Sequence, residues 1–146
     1  MIEFVLNRIA QVWNSLFANK KLLPYERLVL DGWRASIPEK SRLILDTQLD
    51  AARFVQRQAA GAKVCFYFRK SLDVPLFQAT DPDLHVATVL LQSPDGFKTL
   101  QAKVFLHKGR LFSIEFPKRP ERYMQQHHMQ AHTLRVAGVE KNSTII

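Results

Sequence analysis

A single cysteine, Cys65, stands among 146 residues, so within one chain neither a disulfide nor a cysteine-based zinc site can form. Such sparing use fits a reducing compartment. No uncharged apolar run reaches the roughly 18 residues that a membrane span needs, and a cytoplasmic protein is expected. The opening segment MIEFVLNRIAQVWNSLFA lacks a basic leading region and a small-x-small cleavage pattern, and it carries Glu3 and Arg8, so no signal peptide is expected. Five glycines and seven prolines exclude collagenous and low-complexity chains. There is no internal repeat, no Ser/Gly-rich linker, no glycine-rich phosphate loop, no nucleophile elbow and no Cys–His pattern. One domain over 1–146 is expected, with a helical part (1–61), an antiparallel sheet (63–117) and a basic tail (118–146).

Acidic residues run short only at one end. Residues 1–95 hold 12 Lys/Arg against 10 Asp/Glu, whereas residues 96–146 hold 9 against 3, so the net charge of +8 belongs mostly to the last third. That bias suits an acidic partner, a phosphate-bearing one, or solubility alone.

Apolar residues recur at Ile2, Val5, Leu6, Ile9, Val12, Trp13, Leu16 and Phe17, the spacing of a helix. Its polar face of Asn7, Gln11, Asn14 and Ser15 favours packing on the protein's own core over a membrane surface. A short second helix is expected from Pro24, with Leu28 and Val29 inward and Gly32 a weak point. A third is expected from a Ser36 cap through Pro38 and Glu39 to Gly61, burying Leu45, Leu49, Ala52 and Val55 with Arg53 and Arg57 facing water.

After Gly61 the period changes to two. Four strands are expected: one through KVCFYFRK, then about 85–92, 98–107 and 110–117. The long connection SLDVPLFQATDPDLH has the length of a lid or binding loop. A three-residue loop with a glycine bulge at SPDG pairs Leu90 with Leu100, Thr88 with Ala102 and Val86 with Val104; the same device at Gly109 pairs Val104 with Phe112 and Ala102 with Ile114. These registers make the even-numbered face a wholly apolar wall. The outer face then carries Ala87, Val89, Leu91, Gln101, Lys103, Phe105, His107, Leu111, Ser113 and Glu115, with His85 across from Phe105. The fold class is therefore α+β, about three N-terminal helices on one face of a four-stranded antiparallel sheet whose last three strands form a meander. The tail after Pro120 is left open between helix, an edge strand through TLRVAGV, and disorder.

Chemistry has few candidates. His85, Lys103 and Glu115, with Phe105, His107 and Tyr67 nearby, offer a base, a cation and a carboxylate on one sheet face. Polar alternation on a solvated sheet is commoner, so no catalytic residue is assigned and the set is read as a pocket or an interface. Asp81, Asp83 and His85 are too few ligands for a metal site. His128 and His132 lack the glutamate of the zinc-protease pattern, leaving an exposed Gln/His-rich helix as the reading. No metal or cofactor is expected. Lys98, Lys108, Arg110, Lys118, Arg119 and Arg122, with Lys103 and Tyr123 among them, form a candidate basic surface. Nucleic acid is the less favoured partner, because the modules that read it are absent. The leading expectation is a non-enzymatic binding or regulatory protein, of adaptor or toxin-neutralising type, with an acidic protein partner and a possible homodimer. The alternatives are a small pocketed enzyme or ligand binder, and then a nucleic-acid binder.

Overall fold

The computed structural model describes residues 22–69, 73–79 and 81–142; the helix expected over 2–17 lies outside them. The architecture is α+β. Helices α1 (Pro24–Ser36) and α2 (Glu39–Ala51) precede strands β1 (Phe54–Gln58), β2 (Lys63–Tyr67), β3 (Asp83–Gln92), β4 (Thr99–His107) and β5 (Arg110–Glu115). Helix α3 (Pro120–Gln126) and strand β6 (Arg135–Lys141) follow. The six strands form one antiparallel sheet in the order β1-β2-β5-β4-β3-β6. The expected meander is β3-β4-β5, and β1 and β6 add two strands to the four expected. No described helix is long and apolar enough to cross a membrane.

Helix α1 starts at Pro24, whose fixed φ suits a first turn. Glu26 reaches back so that its Oε1 accepts the Leu23 N–H at 2.8 Å, satisfying one of the donors a helix start leaves open. Its buried face is Tyr25, Glu26, Val29, Leu30, Gly32 and Trp33. Gly32 is a close approach rather than a weak point, since a Cβ there would sit 2.9 Å from Val136 Cγ2 and 3.3 Å from Val89 Cγ1.

Helix α2 corrects the expected third helix. Pro38, not Ser36, precedes its first turn, and the Ser36 hydroxyl donates instead to Trp33 O. The helix stops at Ala51, and residues 54–58 form β1. Gly61, expected to end the helix, instead closes a hairpin with Ala59 and Ala60, all three at positive φ. The helix-favouring Gln and Ala residues are overridden by five cross-strand pairs with β2 and by Arg57, which turns inward to the buried Glu26 rather than to water. Propensity yields to tertiary partners of that kind.

Both turns at the heart of the sheet also correct the expected registers. At Ser93–Lys98 the Ser93 N–H donates to Lys98 O and Gly96 N–H to Ser93 O, so the loop holds Phe97 as an extra residue. Leu91, Val89 and Ala87 then pair with Leu100, Ala102 and Val104, and these three, not Thr88 and Leu90, enter the core. At the next turn Lys108 and Gly109 both take positive φ, a two-residue turn that sets Leu106 opposite Leu111. A bulge at Phe112 then restores the apolar wall by pairing Val104 with Ile114. Phe97 and Phe112 are the residues expelled by these two adjustments, and both are exposed.

The core between the helices and this wall contains Trp33, Leu30, Leu45, Leu91, Leu106, Leu111 and Ile114, each essentially without solvent contact. One buried polar side chain organises its edge. Gln48 donates from Nε2 to Pro75 O (2.8 Å) and Gly109 O (2.9 Å), while its Oε1 accepts the Leu111 N–H at 2.8 Å. Phe77 packs on Trp33 with ring centroids 5.6 Å apart and donates its N–H to Gly109 O. The described part of the long connection is thus strapped to the core by Gln48 and Phe77. The tail resolves into α3 and β6, so His128, at φ 54, and His132, in a short 3₁₀ turn, do not share a helix.

Candidate functional site

The described helices cover one face of the sheet, and the opposite face is partly exposed, with Cys65 and Ser113 on it buried within the chain. It carries Lys103, Phe105, His107, Ser113 and Glu115, as expected, but Ala87, Val89, Leu91 and Leu111 belong to the core. Thr88, placed inside by the expected register, stands outside next to Lys103. The reason is the single residue added at the Ser93–Lys98 turn, because one step of register moves every side chain to the other face.

His85 is half-buried on this face, stacked on Phe105 with ring centroids 4.9 Å apart. Its Nε2 lies 3.0 Å from Ala87 O and 3.1 Å from Thr88 Oγ1, and its Nδ1 lies 2.9 Å from Asn142 Nδ2. These partners suit a neutral ring that donates from Nε2 and accepts at Nδ1. Burial, the largest influence, pushes the His85 pKa below its ordinary 6.5, against the bond to Ala87 O; Lys103 lowers it further. A lowered histidine pKa contributes stability that is complete above the unfolded value and is lost as pH falls through the folded one. An NMR titration of the His85 ring is expected to show a midpoint below 6.5, and a midpoint at or above 6.5 would contradict this environment.

His85, Lys103 and Glu115 occupy three adjacent strands, yet no hydrogen bond links them. Glu115 accepts from Ser113 Oγ at 2.8 Å, and His107 Nδ1 lies 2.6 Å from Asp83 Oδ1. Tyr67 stacks on Phe54 and donates to Gln56. His85, Glu115, His107 and Tyr67 are each engaged with local partners rather than with one another, so the geometry draws no proton-transfer chain through the set. Among the described residues no three His, Cys, Asp or Glu side chains converge as a metal site. Burial, ahead of the opposing Lys63 charge, raises the Cys65 thiol pKa, which keeps the sulfur in its unreactive form.

The candidate basic residues divide between two ends of the sheet. Lys108 and Arg110 lie at the β4–β5 turn, where the Arg110 guanidinium sits 5.6 Å from the Phe68 ring centroid. At the other end, Lys118, Arg119, Arg122, Tyr123 and Gln126 line an open groove along α3. Lys118 and Tyr123 continue into a second groove with Thr99, Leu100, Gln101 and Pro117, one residue from Lys98. Lys118 Nζ lies 5.8 Å from the Tyr123 ring centroid. Neither groove includes His85, Lys103 or Glu115. Tyr123 was expected beside these cations, whereas Gln126 was not legible as a groove residue, because its place depends on Pro120 starting α3 against the end of the sheet. Comparison with known family models, curated proteins and solved structures finds no match.

Proposed function

We propose that this protein is a non-enzymatic binding module that engages an acidic protein partner at the α3 end of the sheet. The observation that carries this reading is the gathering of Lys118, Arg119 and Arg122 around one groove while none of them closes an ion pair with a described carboxylate. Cations left unpaired beside an aromatic ring and an amide make a surface that attracts carboxylates and hydrogen-bonds them on contact. The separation of these residues from Lys108 and Arg110 favours a compact acidic epitope over a long polyanion tracking the molecule.

The test is a titration with a poly-glutamate peptide and, separately, with single-stranded nucleic acid, at low and moderate salt. Arg119→Glu with Arg122→Glu is expected to weaken peptide binding at least about tenfold, since each reversal removes an attraction and adds a repulsion. Lys103→Glu, on the outer face, is expected to leave it unchanged. Binding of nucleic acid alone, collapsing by about 200 mM salt through counterion release, would assign the surface to that partner. Equal binding by the reversed variant would remove the α3 end from the account.

A further inference from the structure

The outer face of the sheet is nearly neutral, and one row of its side chains complements itself. We propose that a second copy of this chain covers it, related by a twofold axis running along the strands between β4 and β5. The strand order places that line at the middle of the sheet, with β1, β2 and β5 on one side and β4, β3 and β6 on the other.

One row crosses all six strands as Gln58, Lys63, Glu115, Lys103, Thr88 and Glu140. Rotation about the axis reverses this order on the facing copy. Glu115 then stands opposite Lys103 of the second copy, twice over by symmetry, and Gln58 stands opposite Glu140, an amide to a carboxylate. Among the described residues neither lysine closes an ion pair within the chain, so the charges are available across the interface.

The neighbouring row reads Gln56, Cys65, Ser113, Phe105 and His85. Cys65 and Ser113 are covered within the chain, so what this row presents to a second copy is the stacked pair of half-buried rings, His85 and Phe105. This axis satisfies charge in the first row. No other placement of the axis keeps three strands on each side.

Strands about 4.8 Å apart make the six-stranded face roughly 25 Å wide, which is the scale of a standard interface of about 800 Å² per partner. Facing sheets twist by about 30°, which displaces the outermost pairs most. The central pair, Glu115 with Lys103, is therefore the one to test.

Sedimentation equilibrium of the full chain at about 0.15 M salt, where charges beyond about 8 Å are screened, reads the outcome. The wild type is expected at twice its 16.9 kDa chain mass. Lys103→Glu alone and Glu115→Lys alone each set like charges across the axis and are expected to weaken dimerisation about tenfold or more. An equimolar mixture of the two variants, each shown folded by circular dichroism, is expected to recover wild-type dimerisation, because every reversed charge meets its opposite. A monomeric wild type overturns the proposal and leaves the face to a different partner. So does undiminished dimerisation of both variants, or a mixture that stays monomeric. None of these results bears on acidic-peptide binding at the α3 end.

Discussion

Gln48→Leu is expected to lower the unfolding free energy by about 3–4 kcal/mol, a large share of what a domain of this size possesses. The replacement fills most of the volume but removes three hydrogen bonds made by a side chain with no solvent exposure. Gly109 O keeps the Phe77 N–H as a donor. The Leu111 N–H is left buried and unpaired, which alone costs about 1–3 kcal/mol. Thermal unfolding is expected to fall by about 10 °C, at about 2–4 °C per kcal/mol for chains of this length. Gln48→Glu is the sharper test. An ionised carboxylate would face the Pro75 and Gly109 carbonyls with no proton to donate, so the loss at pH 7 should exceed that of the leucine variant. Its folded pKa is raised, so protonation restores stability below that value and ionisation removes it as pH rises. The gap from wild type should therefore narrow as pH falls toward about 4.3, the unfolded value. A pH-independent loss would mean that water reaches the site.

The second large effect concerns Arg57 and Glu26. The guanidinium is bidentate, Nε to Oε2 at 2.9 Å and Nη2 to Oε1 at 2.5 Å, and the Glu26 side chain is wholly buried while Arg57 keeps 29% exposure. Arg57→Met would strand a buried carboxylate whose remaining partner among the described residues is the Leu23 N–H, and removal of one partner from such a pair costs about 3–5 kcal/mol. Glu26→Leu combined with Arg57→Met removes both charges and is expected to recover most of that loss, ending within about 2 kcal/mol of wild type. Urea unfolding of the single and double variants measures the difference. A double variant as unstable as Arg57→Met alone would show that packing rather than charge is at stake.

These two residues also mark where sequence and structure part company. The start of α1 at Pro24, four of the strands, the meander and the apolar wall follow from period and turn chemistry in nearby residues. Arg57 does not, because its inward turn depends on Glu26, 31 positions away, and it converts a stretch of Gln, Ala and Arg from helix to edge strand. The registers failed for a local reason. The odd-numbered Ala87, Val89 and Leu91 offer as apolar a face as the even-numbered set, so apolarity could not decide between them, and the choice passed to one loop residue, Phe97. At the next turn the rule that faces should not mix did hold, but through a bulge at Phe112 that period-two counting cannot place. The outer face was legible at Lys103, Phe105 and Glu115. Thr88, Lys63 and Glu140 joined it only once the strand order was known.

The proposed docking of an acidic partner at the α3 end is tested most directly by amide NMR mapping. A poly-glutamate peptide titrated into the full chain at moderate salt is expected to shift resonances of Lys98–Gln101 and of residues 117–126, and to leave those around Lys108 and Arg110 in place. Shifts of equal size at both ends of the sheet, or none at α3, would contradict it.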